Sequence, residues 1–306
     1  MIEAQNLTKR FGGKPAVDGV SFAVHPGTVT GFLGPNGAGK STMMKLALGL
    51  QRATAGSITV NGTDYARSAA PLHEVGALLD AGWMHPRRSA YDHLRAIGLT
   101  QGYGRRRVSE VLELAGIASV ARARVGTFSL GMRQRLGIAE AMLGDPAVLL
   151  LDEPVNGLDP DGVVWIRELL RELAAEGRTV LLSSHLMSEM QLTADRIIVI
   201  GRGRVLADGR LQDVISGGEA ASVVVRTPRP ADLVAQLQRP GVTVATRGDE
   251  LQVTGMDVVQ LGEFAMRAGI PVHELRTVSR SLEDAYRELV GDSIEHSAGA
   301  RNGVSR

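Results

Sequence analysis

Gly34-Pro-Asn-Gly-Ala-Gly-Lys40-Ser41-Thr42 decides how the rest of this chain is read. Its glycines free backbone N–H groups to curl around phosphate oxygens, its lysine reaches the terminal phosphates, and its serine hydroxyl offers a ligand to magnesium. Val29-Thr-Gly-Phe-Leu33 just before it reads as a strand and Ser41 to Leu50 as a helix, the order this motif requires. A glycine-rich surface turn would not fix Lys40 and Ser41 at those offsets.

Three more short segments follow in order: Phe128-Ser-Leu-Gly-Met132, Leu149-Leu-Leu-Asp152-Glu153-Pro154 and Ser183-Ser-His185. Around them, the first 65 residues read as short strands, including Ser57 to Asn61, plus the strand feeding the loop. From about Leu72 to Gly144 the pattern turns helical, with apolar residues at helical spacing over Tyr91 to Leu99 and Val108 to Leu114. Strand and helix then alternate: Val148 to Leu151, Val163 to Ala175, Thr179 to Ser183, Met187 to Thr193 and Arg196 to Ile200. This alternation predicts a buried parallel sheet in an α/β fold.

Beyond Gly217 the order is strand (Ser222 to Arg226), helix (Ala231 to Gln238), two strands (Val242 to Thr246, Glu250 to Thr254), helix (Asp257 to Ala268) and strand (Val272 to Val278). That is a small α+β unit with a ferredoxin-like split pattern. A last helix spans Leu282 to Val290, and the polar residues 291–306 are expected to form a disordered tail. The predicted organisation is therefore a unit over 1–215 with a helical insert at about 72–144, an accessory α+β domain over 217–290, and the tail.

Composition narrows the function classes. At 306 residues and 44% hydrophobic content the chain can bury two cores. Thirty-four basic residues against 33 acidic ones leave a net charge of +1, so no global attraction to nucleic acid is expected. There is no cysteine, hence neither disulfide nor thiolate metal site, as suits a reducing compartment. The N-terminus carries charge from its third residue and lacks a secretory core, and the apolar runs are far shorter than the roughly 20 residues that span a bilayer.

A nucleoside triphosphate concentrates negative charge, so its site needs backbone donors, a cation and a divalent metal together. Lys40 is expected to bridge the β- and γ-phosphates while Ser41 and Asp152 hold magnesium. Asp152 closes a run of five apolar residues, placing a carboxylate at the C-terminal edge of a buried strand, where parallel sheets bind ligands. Glu153 is the candidate general base for the attacking water. Its other reading is an outer partner of magnesium. His185, the one histidine of seven that closes such a strand, is placed to touch the γ-phosphate and hold the water.

With loop, signature, acidic strand and histidine in one series, residues 2 to 215 resemble the ATP-binding cassette subunit of ABC transporters. The resemblance implies ATP and Mg2+ as cofactors, with Gly34, Asn36, Gly37, Gly39, Lys40, Ser41 and Thr42 around the phosphates. It implies that Ser129 and Gly131 of the signature cover the ATP of a second copy, so that sites form when two cassettes close face to face. The helix that follows would aim its N-terminal N–H groups at that phosphate. Phe128-Ser-Leu-Gly-Met132 departs from the usual Leu-Ser-Gly-Gly-Gln.

Asn156-Gly-Leu-Asp159 is similar to the loop that links the two facing sites, with Asp159 near the nucleotide. A plain turn after Pro154 is the alternative. The resemblance sets Phe11 against the adenine ring with Val17 in support, although Phe11 could instead be core. Asp80 stands where the family has a magnesium-sensing glutamine.

Asp80 and the stretch Phe128-Ser-Leu-Gly-Met-Arg-Gln-Arg135 are similar to exporters of the bacitracin and daunorubicin type, as is Ser281 to Val290. Such subunits work as homodimers on separate permeases, here of the ABC-2 type, which implies a cytoplasmic protein held peripherally at the inner face of the cell membrane. Segment Gly82 to His93, with Arg87 and Arg88, would meet the permease. The run Arg105-Arg106-Arg107 reads as a solvated face rather than a lipid contact. The function expected is ATP hydrolysis that powers export of a small molecule or drug. The alternative is a non-transport or regulatory cassette with little turnover.

Overall fold

The computed structural model describes residues 1–217, 222–248, 250–278 and 280–299. Contacts divide the chain into two units, one over Met1–Leu211 with Leu289–Arg306 and one over Gln212–Glu288.

In the first unit, β1 (Ile2–Phe11), β2 (Lys14–Val24) and β4 (Ala55–Val60) make an antiparallel sheet in the order β2-β1-β4. Between them come β3 (Thr28–Leu33) and α1 (Lys40–Ala47), and after them α2 (Pro71–Glu74), β5 (Val75–Leu78), α3 (Ala90–Thr100), α4 (Arg105–Leu114) and α5 (Leu130–Ala141). The chain continues through β6 (Val148–Asp152), α6 (Pro160–Ala175), β7 (Thr179–Ser184), α7 (Met187–Thr193), β8 (Arg196–Gly201), β9 (Arg204–Arg210) and α8 (Leu211–Ser216).

A six-stranded sheet runs β5-β6-β7-β3-β8-β9, parallel throughout except for the antiparallel β9. Its central strands are buried on both faces, which is why they read as unbroken apolar runs. Phe32, Leu150, Leu181 and Ile198 join one core with Ile2, Leu7 and Met43.

Two expectations for this unit need correction. Val75–Leu78, assigned to the helical insert, is a strand paired with β6. A four-residue apolar run has no period that separates buried strand from buried helix, and pairing decided it. Arg107 is not simply solvated: its guanidinium donates to the carbonyls of Met142 at 2.6 Å and Leu143 at 3.0 Å, while Arg106 is exposed.

The second unit follows as β10 (Ser222–Arg226), α9 (Pro230–Gln236), β11 (Thr243–Arg247), β12 (Glu250–Thr254), α10 (Val258–Arg267) and β13 (Glu274–Val278). All its strand pairs are antiparallel in the order β11-β12-β10-β13, the ferredoxin-like arrangement. Val223, Val225, Leu233, Leu251, Val253 and Leu261 form its core. α10 is started by a capping box between Asp257 and Gln260.

α11 spans Leu282–Gly299, nine residues past the expected end, because a single interior glycine such as Gly291 costs only about 1 kcal/mol of helix and does not stop it. The tail expected over 291–306 is thus helical to Gly299, and 300–306 lie outside the described residues. Among the described residues no helix is long and apolar enough to cross a membrane.

Candidate active site

β6, β7 and β3 are consecutive neighbours, all parallel, with Asp152 in register with Ser183 and Ser184 with Leu33. The loop after β3, the Asp152-Glu153 pair and His185 therefore leave one edge of the sheet within two strand spacings, roughly 10 Å. A cavity of about 220 Å³ opens there, lined by Ala16, residues 36–42, Asp152 and Glu153.

The loop is held open by contacts that exclude side chains. Gly39 has φ 109°, and a Cβ on it would sit 2.6 Å from the Ala16 carbonyl oxygen. No side chain caps α1 behind it, so its first N–H groups are left for an anion. Lys40 is buried, and its Nζ donates to the carbonyls of Gly34 at 2.6 Å and Pro35 at 3.4 Å. No carboxylate pairs with it among the described residues. A buried ammonium held only by carbonyls is costly unless an anion arrives.

Ser41 Oγ donates to Asp152 Oδ2 at 2.5 Å, and Ser183 Oγ donates to Oδ1 of the same carboxylate. Glu153 sits in the left-handed region at φ 51°, unusual for a residue with a Cβ. Its N–H donates to Ser183 Oγ at 3.0 Å and Ser183 O at 3.2 Å, and its carbonyl accepts from Gln134 Nε2 at 2.8 Å. Its Oε2 lies 2.8 Å from His185 Nδ1. No group of three or more His, Cys, Asp or Glu among the described residues could hold a metal alone. The donors present are one hydroxyl and one carboxylate, the sparse set that suits magnesium when phosphate oxygens complete the shell.

Lys40, Ser41, Asp152, Glu153 and His185 thus come together, with Asn36, Gly37, Gly39 and Thr42 on the cavity wall and Gly34 supplying a carbonyl to Lys40. The remaining expectations fare differently. Phe11 is 48% exposed at the end of β1 with the Lys9 ammonium 5.0 Å over its ring, so it is not core. Val17 is wholly buried beneath Gly39 and does not line the cavity, whereas its neighbour Ala16 does. The alternation of β2 turns Val17 inward.

Asp80 lies just past β5, outside the cavity wall, where its Oδ1 accepts from Gly82 N–H at 2.7 Å. Asp159 caps α6 through Gly162 N–H at 3.0 Å and does not line the cavity, so the turn reading describes it within one copy. Ser129 and Gly131 open α5 away from this cavity. Ser129 Oγ caps the helix through Met132 N–H at 3.2 Å, and Gly131 packs on the Gly157 backbone.

Three residues of the site were given no role in the sequence reading: Ala16, and Ser183 and Gln134, which stand inside segments it quoted. Ser183 was findable, because it faces Asp152 across one strand pair. Gln134 carried no local signal, since its bond reaches 19 residues along the chain.

A glycine loop after a central parallel strand, a buried lysine and a helix serine bonded to an aspartate on the next strand but one define a phosphate-loop nucleoside triphosphatase. A family model described as ABC transporter matches residues 17–156, and one described as a domain of unknown function matches 221–283. The chain is 36% identical over 303 residues to the Nod factor export ATP-binding protein I of Rhizobium sp. (strain N33), covering 96% of this chain and 98% of that one. It is 31% identical over 305 residues to the bacitracin transport ATP-binding protein BcrA of Enterococcus faecalis, covering 95% and 96%. The dimeric post-hydrolysis structure of the ATP-binding cassette MJ0796, bound to ADP and Pi, matches with a TM-score of 0.64 at 25% identity, over 69% of this chain and 99% of that one. The chain belongs to the ABC transporter ATP-binding proteins, the ATP-hydrolysing subunits of transporters, with Nod factor export and bacitracin transport subunits among its relatives.

Proposed function

We propose that this subunit hydrolyses ATP to drive export of a small molecule or drug through a separate ABC-2-type permease, working as a pair with a second copy at the inner face of the cell membrane. The observation that carries the reading is the convergence of Lys40, Ser41, Asp152, Glu153 and His185 on the ends of three adjacent strands. Export is supported by the full-length likeness to a Nod factor export subunit.

Lys40 turns from the Gly34 and Pro35 carbonyls to the terminal phosphates, joined by the N–H groups of the loop and of α1. Ser41 and Asp152, hydrogen-bonded to each other here, are the residues that would hold magnesium. Magnesium bound there would offset the charge that develops as the γ-phosphoryl group departs. Ser183 keeps Asp152 in place from behind. Glu153 accepts the proton of the attacking water, and His185, bonded to the same carboxylate, orients both.

Ser129, exposed at the start of α5, is free to meet the triphosphate of a twin molecule. Trp83, 58% exposed, together with the exposed Arg87 and Arg88 gives the segment Gly82 to His93 both apolar and charged surface for the permease. The unit over Gln212–Glu288 is read as an accessory domain outside the reaction. The central test is ATP turnover by purified Glu153→Gln protein. The reading expects binding to persist while hydrolysis falls by about 10²–10⁴; turnover equal to the unmodified chain would remove Glu153 from its role.

A further inference from the structure

We infer that Gln134 is a positioning residue for hydrolysis: it holds the backbone of Glu153 in its left-handed conformation and so aims the carboxylate. The inference rests on the reading of Glu153 as the general base.

Glu153 stands at φ 51°, a conformation that costs a residue with a Cβ roughly 1 kcal/mol or more unless its surroundings fix it. Two anchors do so. On the amino side, Ser183 accepts its N–H at 3.0 and 3.2 Å. On the carboxyl side, its carbonyl oxygen accepts from the side-chain amide of Gln134 at 2.8 Å and, at the longer distance of 3.2 Å, from the main-chain N–H of Asn156 in the turn that follows.

Gln134 is 5% exposed, so water is a poor substitute for that donor, and without it the carbonyl keeps only the longer bond from Asn156. Without the shorter bond the peptide after Glu153 is held less tightly, by the turn bond alone. The carboxylate would then swing off the line held by His185 Nδ1 at 2.8 Å. Because Gln134 lies in the second turn of α5, the helix capped by Ser129 is thereby tied to the same chain's own base.

The role is testable by steady-state ATP turnover of Gln134→Met, which keeps length and volume but removes the donor, and of Gln134→Glu as a second shape-keeping variant should the first fail to fold. Expected is a fall in kcat of about tenfold with KM for ATP within twofold, the kinetic size of one lost hydrogen bond. The decisive arm is the same substitution combined with Glu153→Gln. If Gln134 acts through Glu153, the double variant is no slower than Glu153→Gln alone, whereas a merely structural role multiplies the two losses.

Unchanged kcat in the single variants, or the full tenfold loss on top of Glu153→Gln, overturns the inference. Full activity of Glu153→Gln itself would instead overturn the assignment of the base, so the two failures are distinguishable.

Discussion

His185 meets Glu153 twice: its Nδ1 lies 2.8 Å from Glu153 Oε2, and its main-chain N–H donates to the same oxygen at 3.4 Å. One residue at the end of β7 therefore ties down a carboxylate at the end of β6. Only the shorter contact depends on the side chain.

His185→Ala keeps the main-chain donor and loses the ring. The carboxylate stays near its position but loses the group that orients it and the water, so kcat is expected to fall by about 10- to 100-fold with little change in KM. His185→Gln, which can still donate, should recover part of the loss. Initial rates of phosphate release at saturating ATP measure both, and equal rates for Ala and Gln would remove the hydrogen bond from the account.

Lys40→Met removes a buried ammonium whose partners in the free protein are two carbonyls. A charge-assisted bond is worth about 1.5–3 kcal/mol, so ATP affinity should drop by about 10- to 100-fold. Unfolding of the nucleotide-free protein should not move downward, because the substitution also removes the cost of burying the charge. Fluorescent-nucleotide titration and thermal denaturation supply the two readings.

Chelation of divalent metal should abolish turnover, and Ser41→Ala should raise the magnesium concentration that half-restores it by about tenfold, since one of the two protein ligands is gone. Asp152 would keep its bond from Ser183. A titration of rate against magnesium decides this; an unshifted midpoint would exclude Ser41 as a ligand.

Ser129→Asp separates capping from pairing. Asp caps a helix as well as Ser, so the single chain should melt as before. At the surface of a twin's triphosphate the added charge repels. ATP-dependent dimerisation, followed by sedimentation with hydrolysis blocked by Glu153→Gln, should be lost while nucleotide binding to the monomer remains.

Much of this was legible in the chain because buried parallel strands are written as unbroken apolar runs. Val29 to Leu33, Val148 to Leu151 and Thr179 to Ser183 announced β3, β6 and β7, and the residues that close them announced the site. β9 was not legible, as Arg204–Arg210 mixes charged and apolar residues without alternation, is half-exposed and owes its shape to the ladder with β8. Val17 is buried off the cavity wall, which a resemblance could not foresee because it gives a position without saying which way β2 turns it. Gln134 was invisible for another reason: its partner is a carbonyl, which every residue has.

Gly131→Ala sets two effects of opposite sign against each other. In the first turn of α5 alanine is the better helix former, a gain of up to about 1 kcal/mol. Against it, the new Cβ would lie 2.7 Å from the Gly157 carbonyl oxygen, and the atom it meets is backbone rather than the tip of a flexible chain. Gly157 cannot yield cheaply, since its φ of 76° is confined by the Leu130 side chain packed on it. Overpacking of that kind costs about 1–3 kcal/mol, so the contact wins and the melting temperature should fall. Because the displaced segment runs through Asn156 and Leu158 to the cap of α6, ATP-driven pairing should weaken as well. Calorimetry of the single variant gives the sign, and a rise in stability would mean that the close approach of α5 to the Gly157 backbone does not exist in solution.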